Sequence, residues 1–252
     1  MTQTIKAIVR YDGTDFAGWQ IQPGQPTVQG NLETALSTIA QQPIRIMGAG
    51  RTDAGVHALG QVFTCQWPID LDAERLRRSL SKMLGPAIRI ESIQSMPEEF
   101  HALRSAKSKR YAYTIDTSAE PDPLSARYTW SVGTNIDHSL LARLCRRVEG
   151  EHDFAGFRCE GTEVKTTVRT IHSVNFDRGG VIAPIDSTTT SRLTFHGNGF
   201  LYKMVRNLTG TLVEIAAGRL DEAILHQRLN EPGPYNGYTA PACGLCLIEV
   251  EY

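Results

Sequence analysis

The segment Gly50-Arg51-Thr52-Asp53-Ala54-Gly55-Val56-His57 sets one carboxylate, Asp53, two residues after an arginine and two before a glycine. A nearby cation favours the ionised form of a carboxyl group. An ionised, oriented aspartate can act as a nucleophile, as a stabiliser of a cationic sugar, or as a general base. The flanking glycines let the backbone bend sharply and approach a ligand closely. The same residues also suit a turn whose aspartate caps the backbone, and spacing alone does not choose between the two.

Three other stretches bear on that choice. From Leu103 to Tyr113, the cations Arg104, Lys107, Lys109 and Arg110 fall within seven residues, and Tyr111 and Tyr113 follow at period two. On a strand the two tyrosines share a face, and cations beside aromatics suit a nucleic-acid backbone and a stacked base. The alternative is a solvated loop feeding a core strand. In Gly199-Phe-Leu-Tyr-Lys203-Met-Val-Arg206-Asn207, Lys203 and Arg206 lie three apart near a helix start. Cations ordinarily favour the other helix end, so this placement suits an anionic ligand. Finally, Tyr11 to Gln20 is an aromatic, glycine-punctuated loop in which Trp19 reads as a core anchor.

Several chemistries fail on the residues. Gly48-Ala-Gly50 resembles a dinucleotide-binding turn, but Asp53 occupies the third glycine's place. There is no HExxH pair and no phosphate-binding GxxxxGK[ST] loop, so the seven histidines, His57 among them, suggest no metal centre. The five cysteines are scattered, and Cys243-Gly-Leu-Cys246 has no second pair with which to hold zinc. A net charge of −1 over 252 residues means that any nucleic-acid site is a local patch. No apolar run is long enough to span a bilayer and no secretory leader is evident, so a soluble, cytoplasmic protein with no membrane partner is expected.

The elements that must position these residues follow from periodicity. Strands are expected at 5–11, 44–47, 61–67, 88–93, 110–115, 170–176, 191–196 and 245–252. Helices are expected at 28–40, with Thr27 as N-cap, and at 72–83, 139–148, 200–217 and 220–229. Both halves alternate strands and helices with hairpin-compatible links. This predicts an α+β fold, with helices on one face of a mainly antiparallel sheet. The boundary falls near 97–108, dividing an N-terminal lobe, 1–104, from a C-terminal lobe, 105–252.

The ordered set 10–20, 50–58, Phe100-His-Ala102, Lys109-Arg-Tyr-Ala-Tyr113, Asp153-Phe-Ala-Gly-Phe157, 200–207 and Thr239-Ala-Pro-Ala242 closely resembles the bacterial tRNA pseudouridine synthase A family over nearly the whole chain. The resemblance implies two α+β lobes whose sheets join into one extended sheet, with a central cleft. It implies isomerisation of uridine to pseudouridine at positions 38–40 of the tRNA anticodon stem-loop, without cofactor or metal, by a homodimer. Carried over by position, Asp53 is the catalytic carboxylate, as nucleophile or as base on the sugar. Tyr111 stacks on the uracil, Arg206 pairs with Asp53, and Arg51 helps hold the flipped nucleotide. Arg104, Lys107, Lys109, Arg110 and Lys203 are the expected RNA-backbone contacts. The rival readings are a synthase serving other uridines and a non-catalytic tRNA-binding module on the same fold.

Overall fold

Ile5, Ala7, Val9 and Tyr11 alternate along the first strand, β1 (Gln3–Tyr11), and all four are buried. A period-two apolar face of this kind belongs to a strand packed on one side. The computed structural model describes residues 2–161, 164–182, 188–231 and 233–252. It divides into two units, Met1–Lys107 with Leu247–Tyr252, and Ser108–Cys246.

In the first unit, helix α1 (Val28–Ala40) begins where expected. Thr27 caps it by accepting the Gly30 N–H, and Val28, Leu32, Ala35 and Leu36 turn inward at helical spacing. Strand β2 (Met47–Gly48) pairs with β3 (His57–Trp67), helix α2 (Ala73–Met83) is capped by Asp72, and β4 (Ile88–Met96) completes the sheet. Strand β1 is central, antiparallel to β3 on one side and β4 on the other. Its register opposes Ala7 to Phe63 and, past an irregularity after Val9, Tyr11 to Ala58. The loop leaving β1 and the loop entering β3 therefore emerge side by side. The strand expected at 44–47 shrinks to Met47–Gly48, because Ile44 and Ile46 are buried without a ladder partner.

In the second unit, β5 (Ser108–Asp116) carries the two-residue β6 (Trp130–Ser131) in parallel on one side. Helix α3 (His138–Arg147), β7 (Gly150–Asp153), β8 (Val168–Arg178) and β9 (Thr190–Gly197) follow. The antiparallel order is β5-β9-β8-β7. Helix α4 (Met204–Ala216) packs against α3 and β5, then α5 (Ala223–Asn230) leads to the last strand, β10 (Leu245–Glu251), which from Leu247 onward belongs to the first unit. Strands β6 and β7 escape periodicity because two to four residues cannot display one. The result is the expected α+β class, with mainly antiparallel pairing. Among the described residues, no helix is long and apolar enough to cross a membrane.

Candidate active site

Asp53 stands in a tight turn closed by the Val56 N–H donating to the Asp53 carbonyl at 3.1 Å. The carboxylate residue is half-buried, Arg51 before it is exposed, and Thr52 between them is buried. This turn lies against the loop that leaves β1. The Trp19 N–H donates to the Thr52 carbonyl at 3.0 Å, and the Gly55 N–H reaches the Phe16 carbonyl at 3.4 Å. The Tyr11 and Thr52 hydroxyls bond at 2.8 Å. The Gly13 N–H donates to His57 Nδ1 at 3.0 Å. On the upstream side, Gln61 Nε2 donates to the Gly50 carbonyl at 3.0 Å.

Glycine is required at two points of this contact. Gly18 has φ +99, and a Cβ there would lie 2.7 Å from the Thr52 carbonyl oxygen. A Cβ on Gly13 would collide with the Val56 carbonyl. The two loops touch backbone to backbone, which any side chain would prevent. Trp19, 2% exposed, anchors the assembly in the core, as its sequence context suggests. Each bond contributes roughly 0.5–1.5 kcal/mol net. Together they hold Asp53 in one backbone conformation before any ligand arrives, and such pre-organisation removes reorganisation from the reacting step.

In the second unit, Tyr111 lies on β5 and is only 8% exposed. The ring of Phe200 meets it edge to face, with centroids 5.3 Å apart at 85°, an arrangement that fixes the tyrosine's orientation. Tyr113, two residues on, is structural. Its hydroxyl donates to the Pro241 carbonyl at 2.7 Å, and burial pushes its phenol well above the ordinary value.

The helix expected to start at Phe200 starts at Met204 instead. Lys203, at its N-cap, adopts φ 59 and gives no side-chain cap. A lysine in the left-handed region costs about 1–3 kcal/mol, and such strain gathers at functional sites. The ammonium of Lys203 lies 5.2 Å from the centroid of the exposed Tyr202 ring. Arg206, in the first helical turn, bonds Ala240 in both directions. Its Nε donates to the Ala240 carbonyl at 2.8 Å, and the Ala240 N–H reaches the Arg206 carbonyl at 3.3 Å.

The next residue, Asn207, is fully buried. Its Nδ2 donates to the Phe157 carbonyl at 2.9 Å, and its Oδ1 accepts the Thr239 hydroxyl at 2.7 Å. Three motifs far apart in the chain, 153–157, 200–207 and 239–242, therefore converge on one asparagine beside Arg206.

The basic run is divided between the segment before β5 and β5 itself. Arg104 and Lys107 are exposed in the segment before β5, where the Lys107 N–H donates to the Glu251 carbonyl at 2.8 Å. Lys109 and Arg110 are neighbours on a strand and point to opposite faces. Lys109 shares the face of Tyr111 and opposes Gly197, whereas Arg110 opposes His196. Burial, and then the charge of Arg169, push the Lys109 amine down to about 8. Among the described residues no cluster of three or more metal-ligating side chains occurs.

Reading the sequence singles out Asp53 but overlooks the residues that brace it. Gly13, Gly18, Thr52 and His57 acquire their roles only once β1 and β3 are in register. Asn207 likewise looks like an ordinary helical residue until the 239–242 segment is placed against it. The one available signal was a paired anomaly, two glycine-rich loops each bordering an expected strand.

Comparison with known proteins covers most of the chain. A family model described as tRNA pseudouridine synthase matches residues 7–111 and 144–252. The tRNA pseudouridine synthase A of Latilactobacillus sakei is 39% identical over 257 residues, covering 100% of both chains. That of Syntrophotalea carbinolica is 38% identical over 249 residues, 98% of this chain and 96% of its own. That of Acetivibrio thermocellus is 38% identical over 254 residues, 99% of this chain and 100% of its own.

Proposed function

Since the chain belongs to the tRNA pseudouridine synthase family, we propose that it is an RNA-modifying isomerase that converts uridine to pseudouridine at positions 38–40 of the tRNA anticodon stem-loop. The reaction breaks the bond from N1 to the sugar carbon C1′, turns the uracil, and joins C5 to C1′. The C5 proton leaves and N1 gains one, so atoms and electrons balance without a redox partner or cofactor. Asp53 supplies the carboxylate that meets the sugar, as nucleophile or as base. Tyr111 holds the uracil by its ring face and helps to remove the C5 proton. Arg206 keeps the carboxylate ionised, since an opposite charge favours that form. Arg51 helps to hold the uridine out of the helical stack, a displacement that costs a few kcal/mol.

The observation that carries this reading is the bracing of the Asp53 turn. Hydrogen bonds from Tyr11, Gly13, Trp19 and Gln61 converge on residues 50–57, and two glycines admit the backbone contact. A turn that merely reversed the chain would not need so many fixed partners around one carboxylate. Arg104, Lys107, Lys109, Arg110 and Lys203 serve as phosphate contacts in the same proposal. The enzyme works in the cytoplasm as a homodimer, so that one tRNA touches both copies.

The test is to treat an unmodified tRNA transcript with the purified protein and map pseudouridine along the strand. Pseudouridine at 38, 39 or 40 is the expected result. Pseudouridine confined to other positions favours a synthase of different specificity, and none at all favours a tRNA-binding module. Undiminished activity in Asp53→Ala would refute the residue assignment while leaving the reaction in place.

A further inference from the structure

His57 is the first residue of β3 and follows the Asp53 turn directly. It is 1% exposed, and its Nδ1 has two close neighbours that demand opposite states. The Gly13 N–H, at 3.0 Å, requires a lone pair. The Asp12 Oδ1, at 3.2 Å, would require a proton. The direction of a backbone N–H is set by its planar peptide, so Gly13 needs an acceptor there. Asp12 Oδ1 already has donors in the Thr14 N–H at 3.0 Å and the Thr14 hydroxyl at 2.6 Å. Nδ1 therefore carries the lone pair, and the neutral ring has its proton on Nε2.

This bond joins the two loops at the point where Gly13 lies against the Val56 backbone. In it a side chain next to the Asp53 turn accepts from the backbone of the loop that leaves β1. Removing the acceptor would leave a buried N–H unpaired, which favours separation of the two loops. We propose that His57 is a positioning residue for the isomerisation. Through Nδ1 it holds the 12–18 loop against residues 52–56 and so fixes where Asp53 stands. The proposal rests on the reading of Asp53 as the reacting carboxylate.

Three substitutions separate this role from simple core filling. In His57→Asn the amide Oδ1 takes the place of Nδ1 and can accept the Gly13 N–H. His57→Leu keeps the bulk without the acceptor. His57→Gln carries its carbonyl nearer the Nε2 position and misses Gly13. Single-turnover kinetics on unmodified tRNA and amide hydrogen exchange across residues 12–18 are the readouts. The Leu and Gln variants are expected to lose about 10²-fold in kcat, the scale of a misplacement near 1 Å, with KM unchanged and faster exchange at Gly13. His57→Asn is expected to recover most of kcat and to keep Gly13 protected.

An Asn variant as impaired as the Gln variant would overturn the proposal, as would wild-type kcat in a folded Leu or Gln variant. If the Leu variant does not fold, the Asn and Gln pair decides. A wild-type protein that makes no pseudouridine would sink the assigned activity, and the exchange rates would still report whether His57 holds Gly13.

Discussion

Lys109 offers the sharpest test of the electrostatics. It shares a face of β5 with Tyr111, and burial and the neighbouring Arg169 push its amine from 10.5 to about 8. That gap works against the charged form by about 3 kcal/mol in the folded state. Between the two values the unfolded chain binds more protons than the folded one, so stability rises with pH from about 8 to 10.5. Below about 8 the whole penalty is present. Lys109→Met keeps the apolar stem and removes the charge. It should raise stability at pH 7 by up to about 3 kcal/mol, with the advantage fading as pH approaches the unfolded value.

A tRNA phosphate placed beside Lys109 would reverse the logic, because an anion restores the ammonium. At pH 9 the free amine is about nine-tenths neutral, so binding must take up a proton, and affinity should fall about tenfold from pH 7 to 9. Urea melts at several pH values and filter-binding Kd at fixed salt measure the two effects. Calorimetry in buffers of different ionisation enthalpy counts the proton taken up. If Lys109→Met is no more stable than wild type at pH 7, the burial reasoning fails. If the pH slope of Kd survives in that variant, Lys109 is not a phosphate contact.

Three further outcomes follow from single contacts. Gly18→Ala places a Cβ against the Thr52 carbonyl at a residue with φ +99, and should cost about 1–3 kcal/mol. Its single-turnover rate should fall further than its melting temperature suggests, and a wild-type rate would show that the two loops are not coupled to chemistry. Asn207→Ala leaves the Thr239 hydroxyl and the Phe157 carbonyl without their partner, and urea titration should show a loss of about 2–4 kcal/mol. Tyr113→Phe removes the bond to Pro241 and should cost about 1–2 kcal/mol while leaving the rate at saturating tRNA unchanged. A collapse of that rate would give Tyr113 a part in the chemistry.

What could be read from the sequence was local. Helix α1 declares itself through Thr27 and the spacing of Val28, Leu32, Ala35 and Leu36, all within one stretch of chain. Strand β5 declares itself through Tyr111 and Tyr113. One expected boundary failed for an identifiable reason. Helix α4 starts four residues late because Lys203 takes a left-handed conformation that no propensity assigns to lysine. For the basic run from Arg104 to Arg110, spacing did not reveal that strand alternation sends Lys109 and Arg110 to opposite faces of β5.

The support of Asp53 was illegible for a different reason. Gly13 and His57 are 44 residues apart; in the second unit the Phe157–Asn207 bond, across 50 residues, is hidden in the same way. Their chemistry exists only through strand register and helix docking. Asp53 could be found as a residue because its own neighbours are unusual. The rigidity that makes it useful comes from Tyr11 opposing Ala58 across two strands, which sets the loop after β1 beside the loop before β3. A shift of that pairing by one residue would move Tyr11 to the other face of the sheet relative to its partner, and with it the hydroxyl that holds Thr52. The irregularity after Val9 therefore belongs to the site as much as the carboxylate does, since it sets the register in which the Tyr11–Thr52 and Gly13–His57 bonds both close.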